Sequence, residues 1–249
     1  MPFYLGSPAF DSNLIGRLLP GVQMLNAGLQ DLWDSYLTAE RDRIRAVMMP
    51  ALDRFLDALL QSPPEVWKPW AKKVAADISD RSVDTPMRFP LFRRAILPAL
   101  AEGVLRQEPG CARWLAVFES LLVNSGEPPL PPELRTCVAL LTEAVRLDPG
   151  DGLARGRLID RHAWYLEYTL HELPAGVLCG SDSASPSECE DLLTLLGEFK
   201  AHVAVTHQEA RYAELIRECD FHYNAYAAYL RGGPPYEGYQ RYLERVGSG

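Results

Sequence analysis

Apolar residues along this chain recur at helical spacing. Val22, Leu25, Leu29, Leu32 and Tyr36 step by three and four, which lines one face of a helix. After the charged cluster ERDRIR (40–45), Ile44, Val47, Met48, Leu52, Phe55, Leu56 and Leu59 resume the rhythm. Pro50 falls inside this second run. It brings no amide donor, so a kink or split is expected near residue 49. Helix starts are marked by Ser62-Pro63 with Glu65, by Asp84, and by Ser185-Pro186 with Glu188, the last a capping box. Pro90 and Pro98 should interrupt the helix that follows Asp84. Stops are marked by EPG (108–110), DPGD (148–151), PAG (174–176) and GGPP (232–235). Period-two alternation of β-branched residues is scarce. The pattern predicts an all-α protein of about ten helices, either a compact bundle or a short α-solenoid-like array.

The stretch NSGEPPLPPE (124–133) reads as a rigid connector. Residues 1–249 are expected to form a single domain. The connector 124–132 is the point where it would divide, into 1–123 and 133–249.

Two segments share a helix–turn–helix outline, ALAEGVLRQEPGCARWLAVFESLL and LLTEAVRLDPGDGLARGRLIDRHAW. Their prolines, Pro109 and Pro149, lie 40 residues apart. The piece EAVRLDPGD (143–151) resembles the end of a tetratricopeptide repeat, where a second helix closes on a leucine, an acidic residue and a proline. The resemblance covers that helix and turn, together with the turn at 108–110. Where the repeat's first helix would lie, the chain instead reads GEPPLPPE. The resemblance implies a protein-binding groove rather than a catalytic pocket.

Composition narrows the function. Hydrophobic residues make up 47% and charged residues 23% of the 249 positions, as in ordinary globular chains. No apolar run reaches the roughly 18 residues of a membrane span. The N-terminal MPFYLGSPAFDSN lacks a basic and then apolar leader, so a cytoplasmic protein is expected. Five cysteines without dense spacing fit reduced thiols. Lysine supplies only Lys68, Lys72, Lys73 and Lys200 of the 25 basic residues, a codon bias that suggests a GC-rich bacterial genome. The net charge is −8 and uneven: residues 1–130 carry 14 basic and 15 acidic side chains, residues 131–249 carry 11 and 18. An acidic surface repels phosphate backbones and attracts basic proteins, so the expected partner is another, basic protein, not nucleic acid or membrane.

No phosphate-binding loop, dinucleotide fingerprint, zinc-protease motif or nucleophile elbow occurs. Three of the five histidines follow a glutamate by four residues: Glu167/His171, Glu198/His202 and Glu218/His222. Such pairs share a helix face. Inward-facing sets of them could gather metal ligands, although di-iron bundles use Glu-x-x-His spacing instead. In HAWYLEYTLHELPAG (162–176), His162 and Glu167 lie about 140° apart on the wheel at about 100° per residue, and cannot converge. Apolar groups on several sides predict that this helix is buried between neighbours. His171, at its C-terminal end, is expected to cap it within a buried layer. Tyr223, Tyr226 and Tyr229, then Tyr236, Tyr239 and Tyr242, recur every three residues and suit helix packing.

The sequence assigns no catalytic, metal or cofactor-binding residue and no cofactor. The expected function is non-enzymatic protein–protein interaction, in its concrete form an immunity- or antitoxin-type protein that masks a basic partner. Glu167, His171, Glu172, Glu188, Asp191 and Glu198 are the candidate contact residues. Two alternatives stand beside it: a metal-binding or acid–base enzyme built on the Glu–His pairs, and a self-associating structural protein.

Overall fold

Asn26 opens the first helix: its side chain accepts the amide of Leu29 at 2.9 Å, the N-cap bond that satisfies a first-turn donor. The structure is a computed structural model and describes residues 25–80, 87–178, 184–232 and 238–246. These residues form eleven helices and no strand, so the protein is all-α. None of the helices is long and apolar enough to cross a membrane. The helix start read at Asp84, the stripe position Val22 and the row position Tyr236 lie outside the described residues. The chain divides into two compact units, Met1–Asp151 and Gly152–Gly249.

In the first unit, α1 (Ala27–Arg41) packs along α2 (Arg45–Leu60), and α3 (Pro64–Asp80) follows. One aromatic knot joins all three. Trp33 of α1 lies 4.9 Å from Phe55 of α2 and 5.2 Å from Trp70 of α3, centroid to centroid, and Phe55 and Trp70 are 5.2 Å apart. Each fully buried ring contributes about 2–3 kcal/mol of hydrophobic free energy, and tilted or edge-on pairs add about 1 kcal/mol.

The prolines behave differently from expectation. Pro50 does not break α2. Pro50 and Ala46, whose carbonyl the missing amide would have served, are both exposed, so solvent can satisfy that oxygen. The break falls earlier, at Asp42–Ile44, where Arg43 takes a left-handed φ of 56°. Nor do Pro90 and Pro98 interrupt the next helix. α4 begins as Phe89–Leu91, widens into a π-helical stretch, Phe92–Ile96, and continues as Leu97–Leu105. The wider turn re-pairs the backbone, with the Leu97 amide on the Phe92 carbonyl, just before Pro98 withholds its own donor.

The helix expected after Pro109 is two short ones, α5 (Cys111–Ala116) and α6 (Glu119–Val123). A 3₁₀ turn, Pro132–Leu134, precedes α7 (Cys137–Leu147), which Thr136 caps by accepting the Ala139 amide at 3.1 Å. The Pro-rich connector lies within the first unit. Pro128 and Leu130 are buried, Arg135 Nε donates to the Leu130 carbonyl at 2.9 Å, and α7 packs on α5. The contact boundary therefore falls after Asp151 and not at 124–132. Buried Arg113 of α5 bonds Asp151 through Nε at 2.7 Å and Asp80 through Nη1, which ties the turn after α7 to the end of α3.

In the second unit, α8 (Gly152–Thr169), α9 (Pro186–Val205), α10 (Glu209–Arg231) and α11 (Tyr239–Val246) share one core. Ser185 and Glu188 form the expected capping box at the start of α9.

The EPG turn yields a first prediction. Gly110 has φ 83°, and a Cβ there would lie 2.6 Å from the Trp114 ring. Gly110→Ala should cost about 2 kcal/mol, from left-handed strain plus overpacking. Urea denaturation measures this, and an unchanged midpoint would contradict the left-handed turn.

Candidate functional site

The second unit's core sets where its chemistry can lie. Ile159, Ala163 and Leu166 of α8 close on Cys189, Leu192, Leu196, Phe199 and Val203 of α9 and on Tyr212, Cys219, Tyr223 and Tyr226 of α10. Tyrosines sit inside because each hydroxyl can find a partner. Thr169 Oγ1 donates to the Leu166 carbonyl at 2.7 Å and so accepts from Tyr223 OH at 2.6 Å. Tyr239 OH reaches His222 Nδ1 at 3.0 Å. Burial pushes the Cys219 thiol up to about 11, which leaves it protonated and unreactive at neutral pH.

A second buried group is basic. His162 of α8 is 3% exposed, and neither ring nitrogen has a hydrogen-bond partner among the described residues. Its ring lies 6.3 Å from that of His202 on α9. Arg155 Nη1 is 3.0 Å from His202 Nδ1. A guanidinium can only donate, so Nδ1 accepts and His202 carries its proton on Nε2. Burial, then the neighbouring His202, hold His162 down to about 4. Burial, then Arg155, lower His202 against the opposing pull of Glu198.

The three Glu–His pairs do not converge. His202 turns to Arg155, His222 to Tyr239, and His171 Nδ1 lies 3.3 Å from Glu172 Oε1. Among the described residues no three His, Cys, Asp or Glu side chains gather in a metal-binding cluster.

His171 is not in a buried layer. His171 and Glu172 are exposed, and so are Trp164, Tyr165, Glu167 and Tyr168 in the last turns of α8. The helix buries Ala154, Leu158, Ile159, His162, Ala163 and Leu166 on its other side. Trp164 is 61% exposed, Tyr168 43% and Tyr165 39%. Trp164 and Tyr168 stack at 6.0 Å with an interplanar angle of 14°, and Tyr168 and His171 stack at 6.1 Å and 7°. Spacings of four and three put these rings in one row along the surface. Exposed Glu167 and Glu172 edge it.

The structure thus groups Glu167, His171 and Glu172 at one end of α8. Glu188, Asp191 and Glu198 are exposed on α9, where Asp191 and Glu198 share a face. Glu188 is already committed: its carboxylate accepts the Ser185 amide at 2.5 Å, which holds its pKa below the usual range. Trp164, Tyr168, Arg155 and His162 were absent from the sequence-based candidates. The i, i+4 spacing of Trp164 and Tyr168, away from the Ile159/Ala163/Leu166 face, was the available signal. Comparison with protein-family models, curated proteins and solved structures returned no match.

The buried imidazole makes stability pH-dependent. The folded protein holds His162 near 4, whereas its ordinary value is 6.5, so the unfolded chain binds the proton more readily. Stability is full above about 6.5, falls as the pH drops toward about 4, and levels off below. At about 1.4 kcal/mol per unit, the loss approaches roughly 3 kcal/mol. Urea midpoints across this window should fall for the wild type and fall less for His162→Leu. Parallel curves would show that His162 is not buried neutral.

Proposed function

We propose that this is a non-enzymatic protein-binding protein that docks a basic partner on the exposed face of α8, in the manner of an immunity or antitoxin protein. The stacked row Trp164–Tyr168–His171, edged by Glu167 and Glu172, carries the reading. Tryptophan and tyrosine are the residues on which interface energy concentrates. The face of Trp164 turned away from Tyr168 can attract an ammonium or guanidinium group, and the flanking carboxylates add to that attraction. The stacking orders the side chains before a partner arrives, which lowers the entropic cost of binding. Asp191 and Glu198 on α9 extend the acidic character of the unit and speed an oppositely charged encounter.

The test starts from a pull-down in the native host with mass spectrometry, followed by stopped-flow binding to the purified partner. Trp164→Ala should weaken binding about ten-fold or more by raising the off-rate, as for a buried anchor. Glu172→Lys should slow association at low salt. That difference should vanish near 1 M salt, where the Debye length shrinks to about 3 Å. An acidic partner, or one that binds Trp164→Ala as it binds wild type, would overturn the proposal. So would a wild-type dimer in light scattering that Trp164→Ala converts to monomer, since the face would then serve self-association.

A further inference from the structure

One side of α10 turns Tyr212, Cys219, Tyr223 and Tyr226 into the core of the second unit. At about 100° per residue, the opposite side carries Ala210, Glu214, Arg217, Phe221, Asn224 and Ala228, and all six are exposed. Phe221 is 49% exposed in the middle of this side. Its ring borders a hollow of about 540 Å³ lined by Arg217, Asp220, Phe221, Asn224 and Ala225.

The spacing of these residues says what shape fits the hollow. Arg217, Asp220, Phe221 and Asn224 stand at i, i+3, i+4 and i+7, the four corners of the hole that receives one side chain of a facing helix. The polar groups around it are engaged within the chain. Arg217 Nη2 donates to Glu214 Oε1 at 3.1 Å, Asn224 Nδ2 donates to the Asp220 carbonyl at 2.7 Å, and Asp220 pairs with Lys200 of α9 at 3.3 Å. The Phe221 ring is the part that gains by being covered.

The same side is complementary to itself. Arg217 and Phe221 lie two positions before and after Cys219, and Ala210 and Ala228 lie nine before and after it. A two-fold axis at the level of Cys219, perpendicular to α10, sets Arg217 of each copy against Phe221 of the other, and Ala210 against Ala228. The guanidinium, still held by Glu214, then lies over the opposing ring in a cation–π contact, made twice. Alanine against alanine at both ends lets the helices approach to roughly 8 Å, the close end of helix packing distances. Antiparallel helices also set opposite ends of their dipoles side by side. The exchange needs the same residues on both helices in reverse order, which a second copy supplies.

We propose that the outer side of α10 pairs with the same side of a second copy, in an antiparallel two-fold contact centred between Arg217 and Phe221. This goes beyond the docking face on α8 and does not rest on it. One helix side per copy is far smaller than the roughly 20–30 residues a side of a standard interface. The dimer is therefore weak, with a dissociation constant on the order of 10–100 μM.

Sedimentation equilibrium of the full chain, from about 1 to about 500 μM so as to span that constant, tests the proposal. Wild type should pass from monomer to dimer. Phe221→Asp should weaken self-association at least about ten-fold and keep the thermal midpoint, because the ring it removes is half in solvent. Trp164→Ala should dimerise as wild type does. Disulfide trapping reads the orientation. Ala210→Cys chains mixed with Ala228→Cys chains should cross-link above the wild-type background. Ala210→Cys chains alone should not, because like positions then sit about 27 Å apart along the helices at about 1.5 Å per residue. A monomer throughout the range would overturn the proposal. So would a dimer indifferent to Phe221→Asp, a dimer undone by Trp164→Ala, no cross-link in the mixture, or cross-linking of Ala210→Cys with itself.

Discussion

A helix of five or six residues does not hold itself together in water, because nucleation costs more than so few backbone bonds return. Much of the first unit rests on this constraint. α5 and α6 persist because Cys111, Ala112, Leu115 and Leu122 close against neighbouring helices. Their ends must then find polar partners within a few residues. The turn at 108–110 and the Arg113 bonds to Asp80 and Asp151 supply them. The unit is built from pieces that stand only together. A disturbance at one turn, such as an added methyl group at Gly110, is felt by the helices on both sides of it.

Much of the fold was legible because helix formation is local. The stripes Leu29–Tyr36 and Met48–Leu59, the Ser185–Glu188 box and the glycine and proline stops each depend on a few adjacent residues, whereas Ile44 and Val47, read into the second stripe, are exposed where the chain breaks between α1 and α2. The prolines were misread because their effect depends on what surrounds them. Pro50 is harmless where Ala46 is wet, and Pro98 where a π-turn has already re-paired the backbone. The candidate site was legible in part for the same reason. Glu167, His171 and Glu172 lie within two turns and stay together. The Arg155–His202 bond joins residues 47 apart and has no local signature. Periodicity also names a helix face without saying which side is covered, so α8 read as buried all round.

Chemistry in this protein follows burial more than residue type. His162 and His171 occupy one helical region, nine positions apart. The first is sealed in the interior as a neutral ring, while the second stacks in the open on Tyr168. Tyr223 and Tyr168 differ in the same way: one hydroxyl is locked to Thr169, and one ring is presented to solvent. The second unit offers two surfaces of different character, an aromatic row edged by carboxylates on α8 and a hollow beside Phe221 on α10.

The exposure of Trp164 has a spectroscopic consequence. Of the chain's five tryptophans, Trp33, Trp67, Trp70 and Trp114 belong to the first unit, and Trp164 alone belongs to the second. Trp33 and Trp70 emit from an apolar interior, whereas Trp164 emits against solvent and a stacked tyrosine. Blue-shifted fluorescence therefore reports on the first unit's aromatic knot. Red-shifted, readily quenched fluorescence reports on the surface of the second, so the chain carries a separate optical probe for each half without any label.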